Sequence, residues 1–134
     1  MSIIRVLVWA FALIASWSPS HAETESFYQD RFCAGMTKER VLPNGTRVDC
    51  LTDVFAIEVD WTHKWAEAIG QSLLYAAATG KQPGIILICK VREEACLKHS
   101  LLIEQTAAHW KLPLTVWLCL PEDSSLAECS RRDY

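Results

Sequence analysis

Residues 45–61 read Gly-Thr-Arg-Val-Asp-Cys-Leu-Thr-Asp-Val-Phe-Ala-Ile-Glu-Val-Asp-Trp. Two extended stretches, Thr46–Leu51 and Val54–Asp60, flank a short link at Thr52-Asp53, a pattern that predicts a pair of neighbouring strands. Alternate side chains of a strand share a face. Arg47, Asp49 and Leu51 therefore point one way, and Val48 and Cys50 the other. In the second strand Ala56, Glu58 and Asp60 share a face, with Ile57 and Val59 opposite. Joining the strands as a hairpin brings Asp49 beside Glu58 and Asp60. Three carboxylates so placed are unfavourable unless a proton or a cation intervenes. Oxygen-only ligands suit Mg²⁺, with Mn²⁺ as a substitute.

Working outward, Arg40-Val41-Leu42 followed by Pro43-Asn44-Gly45 predicts a further strand and a tight turn, so residues 39–60 form a three-stranded meander. Asn44-Gly45-Thr46 also matches a glycosylation sequon, but the turn accounts for it. Thr24 to Gly35 predicts a first helix ended by the glycine. Downstream, Thr62 to Thr79 is rich in Ala, Leu and Glu and is followed by Gly80, which predicts a second helix. Lys81-Gln82-Pro83-Gly84 reads as a loop, and Ile85 to Cys89 as a buried strand. Glu93 to Lys111 is a third helix, with acids first and a lysine last, and Pro113 terminates it. Leu114 to Leu120 is a last apolar strand, and the tail from Pro121 is polar. The expected fold is α/β, a mixed central sheet of about five strands flanked by helices in the order α-β-β-β-α-β-α-β.

The second helix adds to the acidic patch. Lys64, Ala68, Gln71, Tyr75 and Ala78 follow one another at steps of four and three and form one stripe. A cation beside metal-bound carboxylates suits phosphodiester hydrolysis: the metal lowers the pKa of a bound water and neutralises phosphate charge, and a lysine orients that water or stabilises the developing negative charge. A plainer reading makes Asp49 a solvated strand residue, Asp60 a cap for the following helix, Lys64 a surface residue and Tyr75 part of the core. Glu58, on an otherwise apolar strand, fits that reading least.

Gly45-Thr46-Arg47-Val48-Asp49 and Ala56-Ile57-Glu58-Val59-Asp60, with the element order, resemble the PD-(D/E)XK nuclease superfamily, which includes restriction endonucleases and Holliday-junction resolvases. The resemblance spans residues 24–120. It implies a restriction-endonuclease-like fold, with Asp49 and Glu58 as the two motif acids, Mg²⁺ or Mn²⁺ as cofactor and nucleic acid as substrate. It also implies a Gln followed by an aromatic four residues on, which Gln71 and Tyr75 match, and a further acid on the first helix, for which Glu25 is the nearest residue. The motif calls for lysine two residues after its second acid, where this chain has Asp60. Some members carry the lysine on the next helix, where Lys64 stands. The implied catalytic set is Asp49, Glu58, Lys64 and Gln71. Asp49, Glu58 and Asp60 hold the metal, and Tyr75 positions the substrate. The alternative is a non-catalytic exported module that keeps this fold and binds a partner.

The whole chain has 134 residues, a net charge of −3, five Gly and five Pro. That length supports one domain, and the composition excludes collagen-like, low-complexity and disordered classes and a generally basic nucleic-acid coat. Arg5, the apolar run Val6–Ala15 and the small residues Ser20 and Ala22 have the layout of a signal peptide over residues 1–22. The apolar run is too short for a membrane span. The expectation is export to the periplasm or the medium, with residues 23–134 as the mature domain and no stable membrane association after cleavage. An exported chain with Cys33, Cys50, Cys89, Cys96, Cys119 and Cys129 is expected to hold up to three disulfides. Six cysteines allow 15 pairings, among which the short loops Cys89–Cys96 and Cys119–Cys129 are candidates. Cys96, His99 and His109 lack regular zinc spacing. Trp61, Trp65, Trp110 and Trp117 are read as core more readily than as a base-stacking platform, and Lys81, Lys90, Arg92 and Lys98 as scattered solvated charges.

Overall fold

The computed structural model describes residues 22–134. All but the last residue of the expected signal peptide lies outside the described residues.

Thr24 opens helix α1 (Glu25–Phe32), its Oγ1 accepting the Phe27 N–H at 3.3 Å. A serine or threonine does this because the first turn's N–H groups lack helical partners. The chain then forms β1 (Thr37–Val41) and β2 (Arg47–Leu51), joined by the expected turn. The Leu42 N–H donates to the Thr46 carbonyl at 2.7 Å, and Gly45 takes φ +84°. A three-residue hairpin loop needs that left-handed residue, and glycine adopts it without a Cβ clash. Asn44 is occupied in the turn, where its Oδ1 accepts the Thr46 N–H at 3.0 Å.

Next come β3 (Phe55–Trp61), a 3₁₀ turn (Thr62–Lys64), α2 (Trp65–Thr79), β4 (Gln82–Ile88), α3 (Glu93–Trp110), β5 (Thr115–Cys119) and β6 (Ser130–Asp133). The six strands lie in sequence order across one sheet. β3, β4 and β5 are parallel neighbours, and β1–β2, β2–β3 and β5–β6 are antiparallel. The α/β class and mixed sheet are as expected. The sheet has six strands where about five were expected. The added strand, Ser130-Arg131-Arg132-Asp133, is exposed along its whole length, so no apolar alternation marks it. Backbone pairing to β5, the Cys119–Cys129 disulfide and a 2.7 Å bond from Thr115 to Asp133 hold it in place.

Helices cover both faces. Tyr28 and Phe32 of α1 pack on Ile57, Val59, Ile86, Ile88 and Trp117. Ala68 and Ile69 of α2 and Ile103 and Ala107 of α3 pack on Ile85, Leu87 and Val116 from the other side. β4 is buried from Pro83 onward. This continuous burial is what a parallel strand covered on both faces requires.

Pro83 and Gly84 belong to β4, where a loop was expected. Pro83 lies beside Ala56 and Gly84 beside Ile57 in the parallel ladder. Turn-forming residue types mislead here because packing sets the choice. A Cβ on Gly84 would stand 3.0 Å from Ile57 Cγ1 and 3.1 Å from Trp117 Cζ3. Gly84→Ala is therefore expected to destabilise the fold by about 1–3 kcal/mol through overpacking, read as a lowered urea midpoint with an unchanged slope.

The six cysteines form Cys33–Cys50, Cys89–Cys96 and Cys119–Cys129. The two short loops are among the pairings anticipated, and the longer bridge ties the end of α1 to β2. Three disulfides fit a chain that folds in an oxidising compartment. Cys96 is thereby unavailable as a zinc thiolate. No helix among the described residues is long and apolar enough to cross a membrane. Trp117 is in the core, and Trp110, at 70% exposed, is not.

Candidate functional site

The site lies where β2 and β3 part. Their ladder pairs Leu51 with Ala56 and Cys50 with Ile57. The next step would set Asp49 opposite Glu58, and there the ladder stops. Asp49 turns its side chain into the gap, and its Oδ2 accepts the Val59 N–H at 2.8 Å. A backbone donor that would otherwise serve the sheet is satisfied by a carboxylate, as a buried N–H requires. The alternation expected of β2 breaks at this point. Val48 joins Leu51, Ala56 and Tyr75 in one apolar cluster, while Cys50 packs with the α1-side core.

Glu58 projects from β3 beside Asp49 and is 5% exposed, and its Oε2 has no hydrogen-bonding partner among the described residues. Burial, and next the charge of Asp49, push its carboxyl up to about 9, while the Tyr75 hydroxyl acts in the opposite direction. Glu58 thus carries a proton at neutral pH. Asp49 is also raised, chiefly by burial, with the Val59 N–H opposing. Tyr75 is buried on α2 and held above its ordinary phenol value by burial and by the charge of Glu58, with Gln71 opposing. Asp49, Glu58, Gln71 and Tyr75 therefore form one group, drawn from β2, β3 and α2.

Asp60, 4% exposed, centres a second group. Its Oδ1 accepts the Trp61 N–H at 2.8 Å, and the Lys64 ammonium lies 3.5 Å away. It caps neither the 3₁₀ turn nor α2 through its side chain. Lys64 is half exposed, and the Asp60 carboxylate holds its ammonium above the ordinary lysine range. Glu25 reaches in from α1. Burial, then the charge of Asp60, raise it to about 7, and Lys64 opposes the rise. Only the family resemblance points to Glu25; nothing in its own sequence context marks it.

Two further residues escaped the sequence. Gln29 of α1, 8% exposed, donates its Nε2 to the Asp49 carbonyl at 3.0 Å and to Glu39 Oε1 at 2.8 Å. Glu39 sits on β1 with φ +56° and also meets the Arg47 Nε at 2.7 Å. A buried glutamine on a short helix was the available signal, because a primary amide is rarely buried without partners.

Among the described residues, no three Asp, Glu, His or Cys side chains converge as a ready ligand set for a metal ion. The expected trio of Asp49, Glu58 and Asp60 is not assembled, because Asp60 is drawn to its own backbone and to Lys64. The acids meet in pairs instead, Asp49 with Glu58 and Asp60 with Glu25. Two carboxylates still match Mg²⁺, which keeps several waters and commonly takes only one or two protein carboxylates. The partnerless Glu58 Oε2 gives the first pair a lone pair to spare.

Comparison with protein-family models, with curated proteins and with solved structures returns no match to this chain.

Proposed function

We propose that this chain is an exported, metal-dependent nuclease of the PD-(D/E)XK kind that hydrolyses phosphodiester bonds in nucleic acid. The observation that carries this reading is Glu58: a carboxyl 5% exposed, beside a second carboxyl, with one oxygen that has no partner among the described residues. A fold does not keep such a group for stability, since a buried acid raised this far costs free energy whenever it ionises. A divalent cation would remove that cost.

Asp49 and Glu58 would hold Mg²⁺ or Mn²⁺. When bound, the cation would supply charge neutralisation at the phosphate and a water of lowered pKa. The protein's own groups have separable tasks. The Val59 N–H orients the Asp49 carboxylate. Tyr75 of α2, near both Glu58 and Gln71, would hold the Glu58 carboxyl in place. Lys64, paired with Asp60 at 3.5 Å, keeps a half-exposed ammonium that would orient a water or stabilise charge on a phosphate oxygen. Asp60, standing where the family motif has lysine, anchors that ammonium.

A second reading, a binding module that keeps the fold without catalysis, is favoured by one observation: Lys64 is engaged by Asp60 at 3.5 Å. Titration of the mature protein with Mg²⁺ and Mn²⁺ by calorimetry, followed by incubation with DNA and RNA, separates the two. The nuclease reading expects saturable uptake that Asp49→Ala abolishes, together with cation-dependent cleavage. Cation uptake without cleavage of any nucleic acid leaves the binding module, and no uptake at all removes the nuclease.

A further inference from the structure

Helix α1 does more than cover one face of the sheet. Gln29 is the only residue that bonds the main chain of Asp49 from outside the sheet among the described residues, through its Nε2 at 3.0 Å from the Asp49 carbonyl. The second amide proton of the same nitrogen goes to Glu39 Oε1 at 2.8 Å. Both donors of one NH₂ group are therefore used, which fixes the amide plane and leaves it no alternative rotamer with equal bonding. Glu39 is fixed in turn by Arg47 through its other oxygen, Oε2, at 2.7 Å.

The backbone is strained at this point. Glu39 has φ +56°, and a non-glycine residue in the left-handed region is strained and persists where its surroundings over-determine it. The Gln29 and Arg47 bonds supply that determination. The strain also falls at the position in β1 that the ladder sets opposite Asp49, between the pairs Lys38–Cys50 and Arg40–Val48. Asp49 is thus gripped at both ends. Its carbonyl is bonded by Gln29, and its carboxylate bonds the Val59 N–H at 2.8 Å. Where the ladder between β2 and β3 has stopped, these two bonds replace it.

We infer that Gln29, backed by Glu39 and Arg47, is a positioning residue that sets the Asp49 carboxylate for cation binding. It touches neither cation nor substrate and acts through Asp49. This deepens the nuclease reading and rests on it. Residues that orient a metal ligand typically change cation affinity 10–100-fold when they are replaced.

The test compares Gln29→Met, which keeps the volume and removes both donors, with Glu39→Gln, which keeps one carbonyl oxygen as acceptor for Gln29 while giving up the charge and the oxygen that accepts from Arg47. Glu39→Ala is a third variant at an exposed position that does not threaten the core. Each mature protein is titrated with Mn²⁺ alone, and the Val59 amide is followed by ¹H–¹⁵N NMR. Gln29→Met should weaken Mn²⁺ binding at least tenfold and increase hydrogen exchange at Val59, with α2 and α3 amides unchanged. Glu39→Gln should bind within about threefold of the natural protein, and Glu39→Ala should fall between the two. Should Gln29→Met lose the fold by circular dichroism, the Glu39 pair decides: equal affinities for Glu39→Ala and Glu39→Gln overturn the inference. A folded Gln29→Met with natural Mn²⁺ affinity also overturns it while leaving the nuclease reading intact. A natural protein that takes up no cation overturns both.

Discussion

Glu58→Gln is expected to reduce Mg²⁺-dependent cleavage to background and, in the same protein, to raise the stability of the cation-free fold above neutral pH. In the folded state Glu58 keeps its proton to about pH 9, whereas an unfolded glutamate releases it near 4.5. Between those values the folded state binds more protons than the unfolded one, so the free energy of unfolding falls as pH rises. The stability tied to this proton is fully present below about 4.5 and lost as pH climbs through 9. Glu25, raised to about 7, has the same sign and steepens the loss between 4.5 and 7. A glutamine cannot ionise and escapes the penalty. At pH 8 the variant should be the more stable of the two in urea unfolding with chelator present, with a gap that widens from pH 5 to pH 8. Added Mg²⁺ should narrow the gap, because a ligand of the folded state stabilises it. Identical pH slopes for the two proteins would show that Glu58 is not held neutral in the fold. Cleavage that survives the substitution would end the nuclease reading. Few structural residues combine a loss of activity with a gain in stability, which makes this variant the most informative.

Lys64→Ala should separate catalysis from binding. Removing a cation that stabilises developing charge commonly costs 10²–10³ in kcat. Lys64 bonds Asp60 and stands apart from the Asp49–Glu58 pair, so cation affinity should change little. Lys64→Arg should restore only part of the rate, since a guanidinium is a planar fork and an ammonium a compact point charge. Turnover by Lys64→Ala equal to that of the natural protein would mean that the lysine of the 3₁₀ turn does not stand in for the one the motif calls for at Asp60. If the chain is instead a binding module, neither Lys64→Ala nor Glu58→Gln alters partner affinity.

The nuclease reading would place the motif lysine at Asp60 on β3, and there the Asp60 carboxylate draws the Lys64 ammonium to 3.5 Å. This pairing withdraws Asp60 from the ligand set that strand alternation predicted, which leaves Asp49 and Glu58 as the pair best suited to a cation.

The sequence by itself determined the local chemistry. Alternation in Phe55–Trp61 assigned Glu58 and Asp60 to one face, the Pro43-Asn44-Gly45 turn fixed the β1–β2 hairpin, and Gly80 ended α2. These are short-range effects of sterics and hydrogen bonding, and they can be read from neighbours in the chain. Only the tertiary structure decided the rest. It parted β2 from β3 at Asp49, placed Pro83-Gly84 in a strand because Ile57 and Trp117 leave no room for a side chain, and added β6 through backbone pairing that its polar side chains do not announce. It also brought Glu25 and Gln29 from α1 to acids on β2 and β3. Burial and proximity, which raise Glu58 and leave its Oε2 without a partner, arise between segments distant in sequence, and no local pattern encodes them.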